Sequence, residues 1–114
     1  MIDPDTMAAM LDSLKDPFLF ADTNHTIRYM NHAAVAHYRG GRTLLGRSLF
    51  DCHNPRSQAI MREVFDALVA GETERRIMDK PDQRIYMRAV RDPGGRLLGY
   101  YERYEWPWKD TAGS

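Results

Sequence analysis

One long amphipathic segment, bracketed by short apolar runs, constrains this chain more than any other feature. From Pro55 onward, Ile60, Met61, Val64, Phe65, Leu68 and Val69 recur at i, i+1, i+4, i+5, i+8 and i+9, a broad stripe over four turns that Gly71 stops. A helix with one such stripe needs an apolar surface to lie on. The approach to it, Leu45 to Asn54, is equally specific in composition. A Gly46-Arg47-Ser48 turn leads into the apolar pair Leu49-Phe50, and Asp51-Cys52-His53-Asn54 then runs into Pro55. A lone histidine, His53, therefore stands where the helix begins.

The flanks supply the surface. Asp3-Pro4 is a helix-start pair, and Met7, Met10, Leu11 and Leu14 follow at helical spacing, which predicts a short helix over residues 4–14 ended by Asp16-Pro17. Phe18 to Ala21 and Thr26 to Met30 read as two strands joined by the polar turn Asp22-Thr23-Asn24-His25. Asn31 caps a small alanine-rich helix, which Arg39-Gly40-Gly41 breaks. After the long helix come three strands, Thr73–Asp79, Arg84–Arg91 and Arg96–Glu105, separated by the turns Lys80-Pro81-Asp82-Gln83 and Asp92-Pro93-Gly94-Gly95. In the middle one, Ile85, Met87 and Ala89 fall on one face and Tyr86, Arg88 and Val90 on the other. Short loops between strands favour antiparallel pairing. The expected layout is α+β: five strands with the helices inserted after the second and covering one face.

Composition bounds the function. The chain has 114 residues, enough for one domain, with 43% hydrophobic residues to build a core. Sixteen Lys and Arg balance sixteen Asp and Glu, so no net field recruits nucleic acid or an anionic membrane. No apolar run reaches the length of a membrane span, and the start MIDPDTMAAM lacks the pattern of a secretory leader. The single cysteine, Cys52, excludes an internal disulfide. A cytoplasmic protein is the expectation.

Several local runs, in this order, resemble a PAS domain over about residues 10–105. Phe20-Ala21-Asp22 followed by Ile27-Arg28-Tyr29-Met30-Asn31-His32-Ala33-Ala34 is similar to that family's opening hairpin and asparagine-capped helix. Leu45-Gly46-Arg47-Ser48-Leu49 is similar to the turn before its long helix, and Val90-Arg91-Asp92 to Gly95 with Leu98-Gly99 to its closing hairpin. The resemblance implies a five-stranded antiparallel sheet in spatial order 2-1-5-4-3, with helices over one face enclosing a pocket. It implies residues 1–15 as an N-terminal helix, 16–106 as the PAS domain and 107–114 as a disordered tail. The family's Asp-Ile-Thr-like end is replaced here by Glu105-Trp106-Pro107, and the expectation is that no effector domain is attached and that output passes through a partner protein or self-association.

The resemblance also bears on sites. His53-Asn54-Pro55-Arg56-Ser57 is similar to the histidine segment of haem-binding PAS sensors, which implies His53 as an axial iron ligand, with Met78 or Met87 opposite it. The plain reading of His53 is a helix-start role. A pocket for a small apolar or planar ligand is expected to be lined by Tyr29, Phe50, Met61 and Phe65. Cys52 reads as a small buried hydrophobe, and the other histidines give no metal-ligand spacing. Arg75, Arg76, Arg84, Arg88 and Arg91 read as the solvated face of a sheet, or as anchors for a ligand's carboxylates. Tyr100, Tyr101, Tyr104, Trp106 and Trp108 crowd the last strand and tail. Placed on the uncovered sheet face, they call for cover by the first helix, in cis or from a second copy, hence a homodimer. The expected function is a non-catalytic sensory or interaction module. The alternatives are a haem-based gas or redox sensor using His53, and a small enzyme, which lacks a nucleophile–base order and a phosphate loop here.

Overall fold

The computed structural model describes residues 1–107. Its elements are α1 (Pro4–Asp12), β1 (Leu19–Asp22), β2 (Ile27–Met30), α2 (His32–His37), two 3-10 turns (Gly41–Leu44 and Leu49–Cys52), α3 (Pro55–Val69), β3 (Glu74–Lys80), β4 (Gln83–Arg91) and β5 (Leu97–Glu105). The strands form one antiparallel sheet in the order β2-β1-β5-β4-β3. Most of the expected tail, including Trp108, lies outside the described residues.

The helix starts follow from their caps. Asp3 accepts the Thr6 amide at 2.7 Å, Asn31 the Ala34 amide at 2.8 Å, and Asn54 the Ser57 amide at 2.9 Å. Asn31 does more than cap. Its side-chain nitrogen donates to the carbonyls of Leu11 and Asp16 at 2.9 and 3.1 Å, tying the end of α1 to the hairpin. The chain between the two 3-10 turns runs beside β2. Gly46 donates to Ile27, Ile27 to Arg47, and Leu49 to His25, all within 2.9 Å, so the start of the β2 edge is covered.

The helix-facing side of the sheet holds the core: Leu19 and Ala21 of β1, Ile27 and Met30 of β2, Met87 of β4 and Tyr100 of β5, closed by Leu49 and by Met61, Val64 and Leu68 of α3. Gly99 lets β1 and β5 approach, because a Cβ there would run into the Ala21 carbonyl and the Phe20 ring. The buried stripe of α3 is narrower than its apolar sequence. Ile60 and Val69 are exposed, and Phe65 is half-buried. The helix is tangent to a twisted sheet, so only its central line is covered.

Two further expectations change. Cys52 is exposed, because the second 3-10 turn presents it outward while burying Leu49. The aromatic residues of β5 do not share one face. Alternation sends Tyr100 and Tyr104 inward, whereas Tyr101 stays on the outer face and stacks on Phe18 with ring centroids 4.6 Å apart. Trp106 stacks on Tyr104 at 5.5 Å.

The outer face of β3, β4 and β5 is a lattice of charge. Glu74 receives Arg88 at 2.9 Å and Arg103 at 2.7 Å, and Arg103 also reaches Glu105 at 2.9 Å while its guanidinium lies 4.2 Å from the Tyr86 ring centre. Arg84 pairs with Asp79, Arg75 with Glu72, and Arg91 donates to the Leu68 and Gly95 carbonyls. The arginines singled out above are thus engaged by the chain's own acceptors.

Candidate functional site

A cavity of about 70 Å³ lies between α3 and the last three strands, lined by His53, Ser57, Ile60, Met61, Ile77, Met78, Ile85 and Glu102. Its construction begins at the turn into α3. Pro55 at the first helical position and the Asn54 cap fix where the helix starts. Gln58 then reaches back, donating to the carbonyls of Phe50 and His53 at 2.8 and 2.9 Å, which locks the turn. His53 Nδ1 sits 2.9 Å from the Leu49 carbonyl. A carbonyl only accepts, so Nδ1 carries the hydrogen, and in the neutral ring Nε2 is left as an acceptor. The helix contributes Ser57, Ile60 and Met61, one turn apart, and β3 and β4 supply Ile77, Met78 and Ile85.

The polar member on the sheet side is Glu102, only 3% exposed. β5 alternates Tyr100, Glu102, Tyr104 toward the helices, which plants a carboxylate inside an apolar layer. One oxygen, Oε2, accepts the hydroxyls of Tyr38 at 2.8 Å and Tyr104 at 3.1 Å, and the two hydroxyls also contact each other. Burial, and then the charge of Glu102, raises the pKa of both tyrosines, so both remain protonated donors. The other oxygen, Oε1, is buried with no hydrogen-bond partner. Among the described residues, Glu102 is in no ion pair. A buried polar atom left without a partner costs about 1–3 kcal/mol, and native structures carry few of them.

A second cluster adjoins the core at His25, whose φ of 65° is the left-handed conformation of a tight turn. Its ring stacks on Phe50 with centroids 4.3 Å apart, meets the edge of Phe65 at 4.6 Å, and its Nδ1 lies 2.8 Å from the Tyr100 hydroxyl. Burial, with Arg62 nearby, lowers its pKa. The shift favours the neutral imidazole.

The residues proposed from the sequence separate accordingly. His53, Met78 and Met61 share the cavity wall. Met87 is fully buried in the core one strand position away, cross-strand from Glu102. Phe50 and Phe65 pack around His25, and Tyr29 turns to the opposite side, donating to the Ala8 carbonyl at 3.1 Å and to Asp12 at 2.8 Å. Pockets for drug-sized ligands run to roughly 300–1,000 Å³. A space of about 70 Å³ is far short of a porphyrin, so haem does not fit between His53 and Met78 in this form. Among the described residues there is also no group of three His, Cys, Asp or Glu side chains that could hold a metal ion. Sequence reasoning passed over Glu102, Tyr38 and His25. The signal for Glu102 was available: an acid at i+2 between two tyrosines, on the face that alternation turns inward.

Comparison with known proteins agrees with the architecture. A family model described as PAS domain matches residues 7–104. Among solved structures, a C-terminal domain from Streptococcus mutans is similar with a TM-score of 0.77 at 18% identity, covering 96% of this chain and 90% of that one. The PAS domain of a protein from Colwellia psychrerythraea has a TM-score of 0.68 at 13% identity, covering 90% and 94%. A sensory box sensor histidine kinase from Vibrio cholerae has a TM-score of 0.63 at 15% identity, covering 89% and 88%. No curated protein matches. With the 2-1-5-4-3 sheet, the asparagine-capped α2 and a family match running from α1 into β5, the chain belongs to the PAS domain family.

Proposed function

We propose that this PAS domain is a non-catalytic, cytoplasmic sensory module that binds a small ligand in the cavity beneath α3 and pairs with a second copy through α1. The observation that carries the reading is the cavity itself, walled by Ile60, Met61, Ile77, Met78 and Ile85 with His53, Ser57 and Glu102 as its polar members. An apolar pocket with a few convergent polar groups is the arrangement that small-molecule sites take. The neighbouring sensor histidine kinase and the family match support the sensory role. The cavity's His53 and Ser57 are not joined by a hydrogen bond among the described residues, which favours binding over nucleophilic chemistry. Cys52 is a free thiol, in keeping with a reducing compartment, and no described helix is long and apolar enough to cross a membrane.

α1 supports the pairing. It has no buried residue, and Met7, Met10 and Leu14 stand exposed, Met10 at 56%. Met7 and Met10, one turn apart on α1, with Leu14 just past its end, offer apolar surface suited to a twofold contact. The test is methyl NMR of the methionine-labelled protein against a chemically broad set of small molecules. Compounds that move Met61 and Met78 while leaving Met7 and Met10 in place support the sensor. A set in which none does overturns it. Sedimentation of wild type beside Met10→Glu checks the pairing, with a shift toward monomer expected in the variant.

A further inference from the structure

The floor and the mouth of the cavity come from different elements. Met61, Ile85 and Glu102 are buried and form the floor. His53, Ser57, Ile77 and Met78 are half-buried and Ile60 is exposed, so the mouth lies between the start of α3 and the edge strand β3. Ile77 and Met78 are consecutive, and strand alternation would turn them to opposite faces. Both line the cavity because β3 carries one extra residue. Arg76 pairs with Tyr86 and Met78 with Ile85, so two steps along β3 match one along β4, and Ile77 has no partner across the ladder. A bulge of this kind re-aims a side chain, and bulges gather at sheet edges. Among the described residues, no strand pairs with the outer side of β3.

The two re-aimed side chains differ in compliance. Methionine is unbranched, and its thioether chain changes shape to fill a gap. Isoleucine is branched at Cβ and stiff. Five of the eight lining residues are isoleucine or methionine, and the volume of about 70 Å³ is roughly half that of an apolar cavity able to take benzene, ~150 Å³. We propose that Ile77, set into the wall by the β3 bulge, is the size-determining residue of the cavity, which selects apolar molecules smaller than benzene. Met78 beside it adapts to the occupant's shape and does not set the limit. Ile77 stands outside the paired register, so shortening it disturbs no cross-strand pair. The proposal rests on the cavity being a ligand site; it adds the polarity and size of what enters and the residue that sets the limit.

Xenon and benzene are the probes, read from the Met61 methyl signal of the full chain. In wild type, xenon is expected to move that signal and benzene to leave it in place. In Ile77→Ala, benzene affinity should rise by about tenfold or more, since three carbons leave the wall. Met78→Ala should raise it less. Ile77→Val removes one methyl and should give a smaller gain in the same direction, which keeps the test available should the alanine variant fold poorly. Benzene binding wild type as tightly as Ile77→Ala would overturn the size limit while leaving the ligand-binding reading intact. An equal gain in Met78→Ala would overturn the assignment to Ile77. Xenon leaving Met61 unmoved, while polar members of the broad set move it, would overturn the apolar class alone. A Met61 signal that no compound moves would overturn both readings.

Discussion

Two glutamates of one sheet meet opposite fates. Glu74, on the outer face, is held by Arg88 and Arg103, and the Arg103 hydrogen bond keeps its carboxyl below the ordinary carboxylate range. Glu102, on the helix face, has two tyrosine hydroxyls on one oxygen and nothing on the other. Water screens the outer lattice, so pairing there is easy to satisfy and worth little. Inside, an unpaired charge is expensive and persists only where the surroundings hold it in place. The contrast teaches where to look for function in this fold: at the carboxyl that the protein buried and left half-partnered.

Mutations across the two faces sharpen the contrast. Leu68 is fully buried where α3 lies on the sheet, so Leu68→Ala should cost about 2–5 kcal/mol in urea unfolding. A loss under ~1 kcal/mol would show that the helix face is misplaced. Phe65→Ala should cost less than Leu68→Ala, because that ring is only half-buried against His25 and Tyr100. Next comes the polar centre. Tyr38→Phe removes a donor to a buried carboxylate and should cost roughly 1.5–3 kcal/mol, read from the same denaturant curves. On the outer face, a double-mutant cycle on Arg103 and Glu74 should give a coupling of about 1 kcal/mol or less that shrinks as salt rises. A coupling equal to the Tyr38 effect would erase the distinction between the faces.

The smallest expected effect is a pH slope from His25. Its folded-state pKa is lowered, first by burial and then by Arg62, so on acidification the unfolded chain takes up the proton first. Stability therefore falls as pH drops through about 6.5 and levels off below the folded-state pKa. His25→Asn, which tolerates the positive φ, should remove this part of the slope between pH 5 and 8. An undiminished slope in the variant would assign it to other groups.

The strands and the long helix were legible in the sequence because they rest on local signals: caps at Asp3, Asn31 and Asn54, turn residues, and alternation in β4; the spatial order of the strands came from the family resemblance alone. The apolar stripe overstated the buried width of α3, since periodicity cannot say how far a twisted sheet follows a helix, and Ile60 and Val69 stayed outside. His53, Met61 and Met78 were marked for a site and do share one wall. Tyr29 could not be separated from them by sequence, because the β2 register that turns it toward Asp12 is set by pairing with β1. Glu102 was hidden by expectation more than by physics. Acids are read as surface residues, although alternation between Tyr100 and Tyr104 turns this one inward, and the register of β5 against β4, with Met87 opposite Glu102, bears out the burial.

The central claim is that Glu102 is buried in the cavity wall with one oxygen unpartnered whereas Glu74 is held on the outer face by two arginines. Carbon-13 NMR of the glutamate side-chain carboxyls, recorded while a compound that moves the Met61 and Met78 methyl signals is added, tests it directly. The account predicts that the Glu102 carboxyl signal moves and saturates while that of Glu74 holds still. A Glu102 signal that stays fixed, or drifts with the surface carboxylates without saturating, would contradict it.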